Sequence, residues 1–323
     1  MCSGPVEQST RAPQPAQGDA EQDAQSAARR ARTDVREVET VAGMLEVAEL
    51  FSRIWDAPLV APMPHDLMRS LAHAGGRVHA AFRDGHIAGA SVAIFGAPAE
   101  ASWYSLIAGV RPGVEGQGIG LALKLAQRAW ALQAGVSRMT WTFDPLLRRN
   151  ARFNITRLGA VVTEYLVNFY GEIADGVNDP ETDRLAVVWN LRTPLPNSVR
   201  VAGPPSAPDP ASEHEPSPIL VARKGGEPVL VPGPGVADSS GGKRVAGTGP
   251  SGSANQEAGN DRAGRLRCWI PEDILLTRRT NPELARRWRL AVREALVGAL
   301  GDGYVVTGVM DPGWYVLEKP AGR

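Results

Sequence analysis

The stretch GVRPGVEGQGIGLALKLAQRAW, from Gly109 to Trp130, crowds glycines into one end and a helical apolar pattern into the other. A β-rich run ending at Val110, a glycine loop and then a helix is an arrangement that points bare backbone N–H groups at an anion. Without side chains in the way, phosphate oxygens can come close. The same spacing also suits a tightly packed strand-to-helix turn, and GxG alone does not separate the two. Further on, Asp144 closes WTFD at a strand end, where a carboxylate either faces a cleft or caps the turn with Pro145. Tyr104, on the strand before the loop, either donates or relays a proton or packs in a core. Glu164 and Tyr165 alternate across a later strand, so only one of them can face a cleft. NFYG adds Asn168 and Tyr170 to that strand.

Other candidates carry less. His65, His73, His79, His86 and His214 show no metal-ligand spacing, so no metal is expected; His79, on a strand, is the best placed for chemistry. GGKR at Gly241 lacks the Ser/Thr of a nucleotide-binding loop, because Arg244 stands there. ARRWR sets Arg286, Arg287 and Arg289 around Trp288, either to grip an acidic group or as a solvated helix face. Cys2 and Cys268 are the only cysteines, which excludes a disulfide framework and fits a reducing cytoplasm. Lys+Arg and Asp+Glu balance at 35 each, so net charge favours neither nucleic acid nor an anionic membrane as partner. No export signal is visible, and no apolar run approaches the roughly 18 to 20 residues of a membrane-spanning helix.

The elements that must position these residues follow from periodicity. With 323 residues and 43% hydrophobic content, the chain can bury one large core or two ordinary ones. Residues 1–34 have the composition of a disordered tail. VREVET reads as a strand, and Met44, Val47, Leu50, Phe51 and Ile54 recur at helical spacing after it. PHDLMRSLAHAGG predicts a second helix, from Pro64 to the Gly75-Gly76 pair. VHAAFRD, HIAGASVAIFG and ASWYSLIAGV predict an antiparallel meander, with Asp84-Gly85 as its hairpin signal. After the glycine loop come a helix to Gly135, the strand RMTWTF, a short helix capped by Asn150, and the strands AVVTEYLVNFYG and RLAVVWNL. The order over residues 35–192 is βααβββαβαββ, an α/β fold with a mixed, mostly antiparallel sheet flanked by helices. Residues 193–264 are a Pro/Gly-rich linker with an expected hairpin at 218–232. Residues 265–320 predict a C-terminal βαββ unit, and exposed sheet edges make a homodimer an expectation.

Glu115, Gly118 and Gly120 occupy the three fixed positions of a Gln/Arg-x-x-Gly-x-Gly/Ala loop after the third strand of a βααβββ run. Asn150 then precedes Leu158, Gly159 and Ala160. Together these resemble the acyl-CoA-binding core of the GNAT N-acetyltransferases, over Val35 to Leu191. With WTFDP, NFYG and ARRWR, the whole chain further resembles a predicted bacterial GNAT subgroup of unassigned substrate. The resemblance implies acetyl-CoA as donor, with Val110 bonding the pantetheine arm by backbone. It implies Gln117, Gly118, Ile119, Gly120 and Leu121 around the pyrophosphate, and Asn150 on the arm's far side. It implies transfer of acetyl to an amine of a small molecule or peptide, by direct attack in a ternary complex. The alternative is a ligand-binding or regulatory module that keeps the fold without turnover. Three departures mark this chain. Glu115 stands for Gln/Arg, and an acid beside a pyrophosphate is unfavourable unless it points away or pairs with Arg111. Ile155 stands where many relatives carry an acid Tyr, and Tyr104 where some carry a base Glu. Tyr104 and Asp144 are therefore the catalytic candidates.

Overall fold

The computed structural model describes residues 17–57, 59, 61–96, 101–171, 181–196, 199, 215–223, 225–231 and 264–320. The chain forms two compact units, Met1–Trp141 with Trp189–Leu195, and Thr142–Val188 with Pro196–Arg323.

The first unit begins with α1 (Gln17–Arg30), β1 (Asp34–Glu37), α2 (Val41–Ile54) and α3 (His65–His73). It continues through β2 (Arg77–Arg83), β3 (His86–Phe95), β4 (Ser102–Val110), α4 (Ile119–Gln133) and β5 (Arg138–Phe143), whose last two residues pass into the second unit. The strands lie in chain order, antiparallel from β1 to β4, with β5 parallel to β4. Asp84 and Gly85 take φ of 51° and 79°, as a tight two-residue hairpin between β2 and β3 requires. Strand alternation divides the faces. Val78, Ala80, Ala90 and Val92 join Met44, Val47, Leu50, Phe51 and Met68 in the core beneath α2 and α3. Gly89 faces α4 so closely that a Cβ would meet Ile119 Cγ2 at 2.9 Å.

The tail expected over residues 1–34 is helical from Gln17 to Arg30, and Ala20, Ala27 and Ala31 are buried. Its apolar stripe is alanine, which composition alone does not distinguish from a solvated segment. Asp23 on α1 meets Arg128 on α4 at 3.1 Å, and the Arg128 Nε–H donates to the Leu191 carbonyl at 2.8 Å. Residues 1–16 lie outside the described residues.

The second unit holds α5 (Arg148–Ala151), which widens into a π-turn over Arg152–Arg157, and then β6 (Val161–Leu166) and β7 (Arg184–Asn190). The last two residues of β7 belong to the first unit. β6 and β7 pair antiparallel. A five-stranded sheet follows from β8 (Ser217–Ala222), β9 (Pro228–Leu230), β10 (Arg265–Trp269), β11 (Val305–Met310) and β12 (Trp314–Glu318), in the order β11-β12-β10-β8-β9. Where one helix is expected between β10 and β11 there are two, α6 (Ile274–Thr280) and α7 (Pro282–Gly301). Asp273 caps α6 by accepting from the Leu276 N–H, and Asn281 caps α7 by accepting from the Leu284 N–H. Much of 193–264 lies outside the described residues.

Two smaller expectations also change. Asn150 sits inside α5, with Leu147 at the N-cap position and no side-chain cap. Asn168 and Tyr170 lie in a turn beyond the end of β6, Asn168 at φ 49°. A strand cannot carry that dihedral.

Candidate donor-binding site

In the first unit, the glycine loop is built from left-handed residues. Gly113, Gly116 and Gly118 have φ of 87°, 76° and 87°. Gly118 is the N-cap of α4 and offers no side-chain cap, while its carbonyl accepts the first helical bond from the Ala122 N–H. The amides of Ile119, Gly120 and Leu121 therefore precede the first turn's acceptors and point out of the helix start. Nothing lies within 4 Å of where a Cβ of Gly116 would stand, and Gly120 would meet only Val110 Cγ2, at 3.7 Å. The carboxylate of Glu115 accepts from the Gly113 N–H at 2.6 Å, so it is turned back into its own loop. That removes the objection its charge raises.

Gln117 is exposed, and its Oε1 accepts from Arg83 Nη1 at 2.5 Å; Arg83 also donates to the Ala31 carbonyl. Arg83 is a loop-side cation that the sequence reading missed. It ends β2, and only the sheet brings it to a loop 34 residues away. Tyr104 is half-buried at the last β4–β5 pair, opposite Thr140. Val110, Tyr104 and residues 117–121 thus belong to one strand–loop–helix segment.

One face of α4 carries a second cluster. Lys124 is buried, and its Nζ donates to Ser105 Oγ at 2.7 Å and lies 3.9 Å from the Trp141 ring centroid. Burial pushes its pKa down to about 7. The signal in sequence is a lysine inside LALKLA. His79 is buried against Trp130, and burial first, then Arg77, pushes its pKa down to about 4, so it is neutral.

In the second unit, Asp144 is not a proton carrier. Its carboxylate takes both guanidinium nitrogens of Arg289 at 2.8 and 2.9 Å, Arg278 at 2.7 Å and the Leu146 N–H at 2.9 Å. Burial alone would raise its pKa, but Arg289 and then Arg278 hold it well below the usual carboxylate range. ARRWR is used up the same way. Arg289 is buried on Asp144, Arg287 pairs with Glu227, Arg286 with Glu181, and Trp288 donates to the Gly226 carbonyl. No phosphate grip remains, while Arg286 and Arg287 stay on the exposed side of the helix as a solvated face would have them. Tyr165 is buried and donates to Asp183 at 2.7 Å, while Glu164 is exposed. Asn150 is partly exposed, and Ile155 is buried.

Among the described residues no group of three His, Cys, Asp or Glu side chains is placed to hold a metal, and no helix is long and apolar enough to cross a membrane.

No model of a known protein family matches the chain, and no curated protein sequence does. Solved structures do. A putative acetyltransferase of the GNAT family from Desulfovibrio desulfuricans is 16% identical, with 49% of this chain covering 99% of that one at a TM-score of 0.40. The ribosomal-protein-S18-alanine N-acetyltransferase from Escherichia coli is 13% identical, with 50% and 96% covered at 0.42. An N-acetyltransferase from Staphylococcus aureus Mu50 is 12% identical, with 49% and 98% covered at 0.42. Over about half of its length, then, this chain is similar to solved structures described as acetyltransferases, at 12–16% identity and TM-scores of 0.40–0.42.

Proposed function

We propose that the chain is an acyltransferase that moves acetyl from acetyl-CoA to an amine, in a cytoplasmic setting. The observation that carries this is the start of α4: a left-handed glycine cap and three outward amides, with only the small Ala31 and the Val110 side chain near its glycines. An anion with several oxygens, such as a pyrophosphate, is the natural occupant. Ile119, Gly120 and Leu121 would hold it by backbone, Gln117 and Arg83 would flank it, and Val110 would offer its backbone to the pantetheine arm. Acetyl-CoA supplies an activated thioester. The protein's part is to bind and orient it, exclude water, and manage one proton at each end of the transfer.

The experiment is calorimetry with acetyl-CoA on the full chain and on Gly118→Asp, followed by coenzyme A release across a panel of amines. Binding weakened at least about tenfold in the variant, about 1.4 kcal/mol, supports the reading. Absence of binding, or a variant that binds equally, refutes it. A second reading is favoured by Asp144 being locked and Ile155 being apolar: a module that binds acyl-CoA without turnover. Steady thiol release with any amine rules that out.

A further inference from the structure

The ladder between β4 and β5 is short, joining Ser102, Trp103 and Tyr104 to Arg138, Met139 and Thr140. β4 then runs on to Val110 against β3, and a bulge bends it at once: Val92 and Ala93 on β3 face Ile107 and Ser105, leaving Leu106 over. The first residues past the ladder are Ser105 on β4 and Trp141 on β5. Lys124 of α4 reaches both, with Nζ 2.7 Å from Ser105 Oγ and 3.9 Å from the Trp141 ring centroid. Ser105 in turn donates to Gln127 Oε1 at 3.2 Å. Gln127 is fully buried, and its Nε2 has no acceptor among the described residues.

No carboxylate among the described residues bonds Lys124. Several charged and titratable groups on the elements packed around α4 have partners other than Lys124. Asp23 of α1 takes Arg128, Arg77 of β2 takes Glu37 of β1, Arg83 takes Gln117, and His79 stands against Trp130. Tyr104 points to the opposite face of β4 from Ser105. An aliphatic side chain would fill this place without penalty. An unpaired amine there makes sense where a charge comes and goes.

We propose that Lys124, positioned by Ser105, is the group that exchanges a proton with the sulfur of the acyl donor at the closed end of the space between β4 and β5. The inference rests on the donor reading above. As the acceptor nitrogen bonds the acetyl carbon and the C–S bond breaks, Lys124 gives a proton from its ammonium to the sulfur. The proton shed by the acceptor nitrogen returns through water to the Lys124 amine. An ammonium that gives up its proton near neutrality is a stronger acid than a thiol, which ionises near about 8.5. When coenzyme A binds the free chain, the neutral Lys124 amine can take the thiol proton, and the attraction between the two resulting ions offsets the difference.

The test uses the full chain with coenzyme A, acetyl-CoA and desulfo-coenzyme A, which lacks the sulfur. Near neutral pH, coenzyme A is expected to bind about tenfold more tightly than the desulfo form, one pKa unit of proton exchange, with the ultraviolet absorbance of a thiolate. Lys124→Met should bind both alike and show no thiolate, and Ser105→Ala should show a weakened thiolate signal. If Lys124→Met does not fold, the wild-type signal and Ser105→Ala decide. Coenzyme A bound without thiolate absorbance, or a thiolate that persists in Lys124→Met, overturns the role of Lys124 and leaves the transferase reading standing. Binding of neither coenzyme A nor acetyl-CoA overturns that reading and this one with it.

Discussion

Two buried ionisable side chains, Asp144 and Lys124, have opposite relations to charge. Asp144 is surrounded by guanidinium groups that come from 134 and 145 residues away. Its substitution by asparagine leaves Arg289 buried without its counter-charge and is expected to cost about 3–5 kcal/mol, read by urea unfolding. Because the folded carboxyl titrates below its unfolded value, this contribution is complete above about pH 4 and is lost only as pH falls further. Lys124 behaves in reverse. Its amine titrates at about 7 when folded, against about 10.4 unfolded, so between those values only the unfolded chain holds the proton. Stability therefore rises with pH across that window, by up to about 1.4 kcal/mol per unit, and the penalty is complete below it. Lys124→Met should raise Tm, with the largest gain near pH 6 and a vanishing one near pH 10. A gain that does not change with pH would contradict this.

At the scale of elements, α1 and the glycine loop are where local sequence and packing diverge. Asp23→Asn should destabilise by about 1–3 kcal/mol, because Arg128 is fully buried while Asp23 keeps partial solvent contact. Amide exchange across α1 should accelerate with it. Gly118→Ala and Gly135→Ala make a matched pair, with φ of 87° and 78° and the same left-handed strain. Each is expected to cost about 1 kcal/mol or more. Only Gly118→Ala, whose added methyl stands at the start of α4, should also weaken acetyl-CoA binding. The glycines were legible because a positive φ is a local demand that few other residues meet. The helix α1 was not, since alanines at heptad spacing look like any polar, alanine-rich tail until a partner helix covers them.

For the whole molecule, a donor that binds only the folded chain must raise its stability by mass action. Acetyl-CoA at a hundred times its Kd should add about 2.7 kcal/mol, seen as a higher Tm by calorimetry, and Gly118→Asp should lose most of that shift. The element order from β1 to β7, the hairpin at Asp84-Gly85 and the bare helix start could all be read from the chain alone. Each depends on periodicity or backbone freedom within a few residues. What only the tertiary structure decided was the electrostatics. It turned Glu115 inward, filled Asp144 with two arginines, emptied ARRWR of free charge, and set Lys124 beside Ser105. Apart from the Gly113 N–H that holds Glu115, such partners come from 19 to 145 residues away, and no local spacing in the sequence records them.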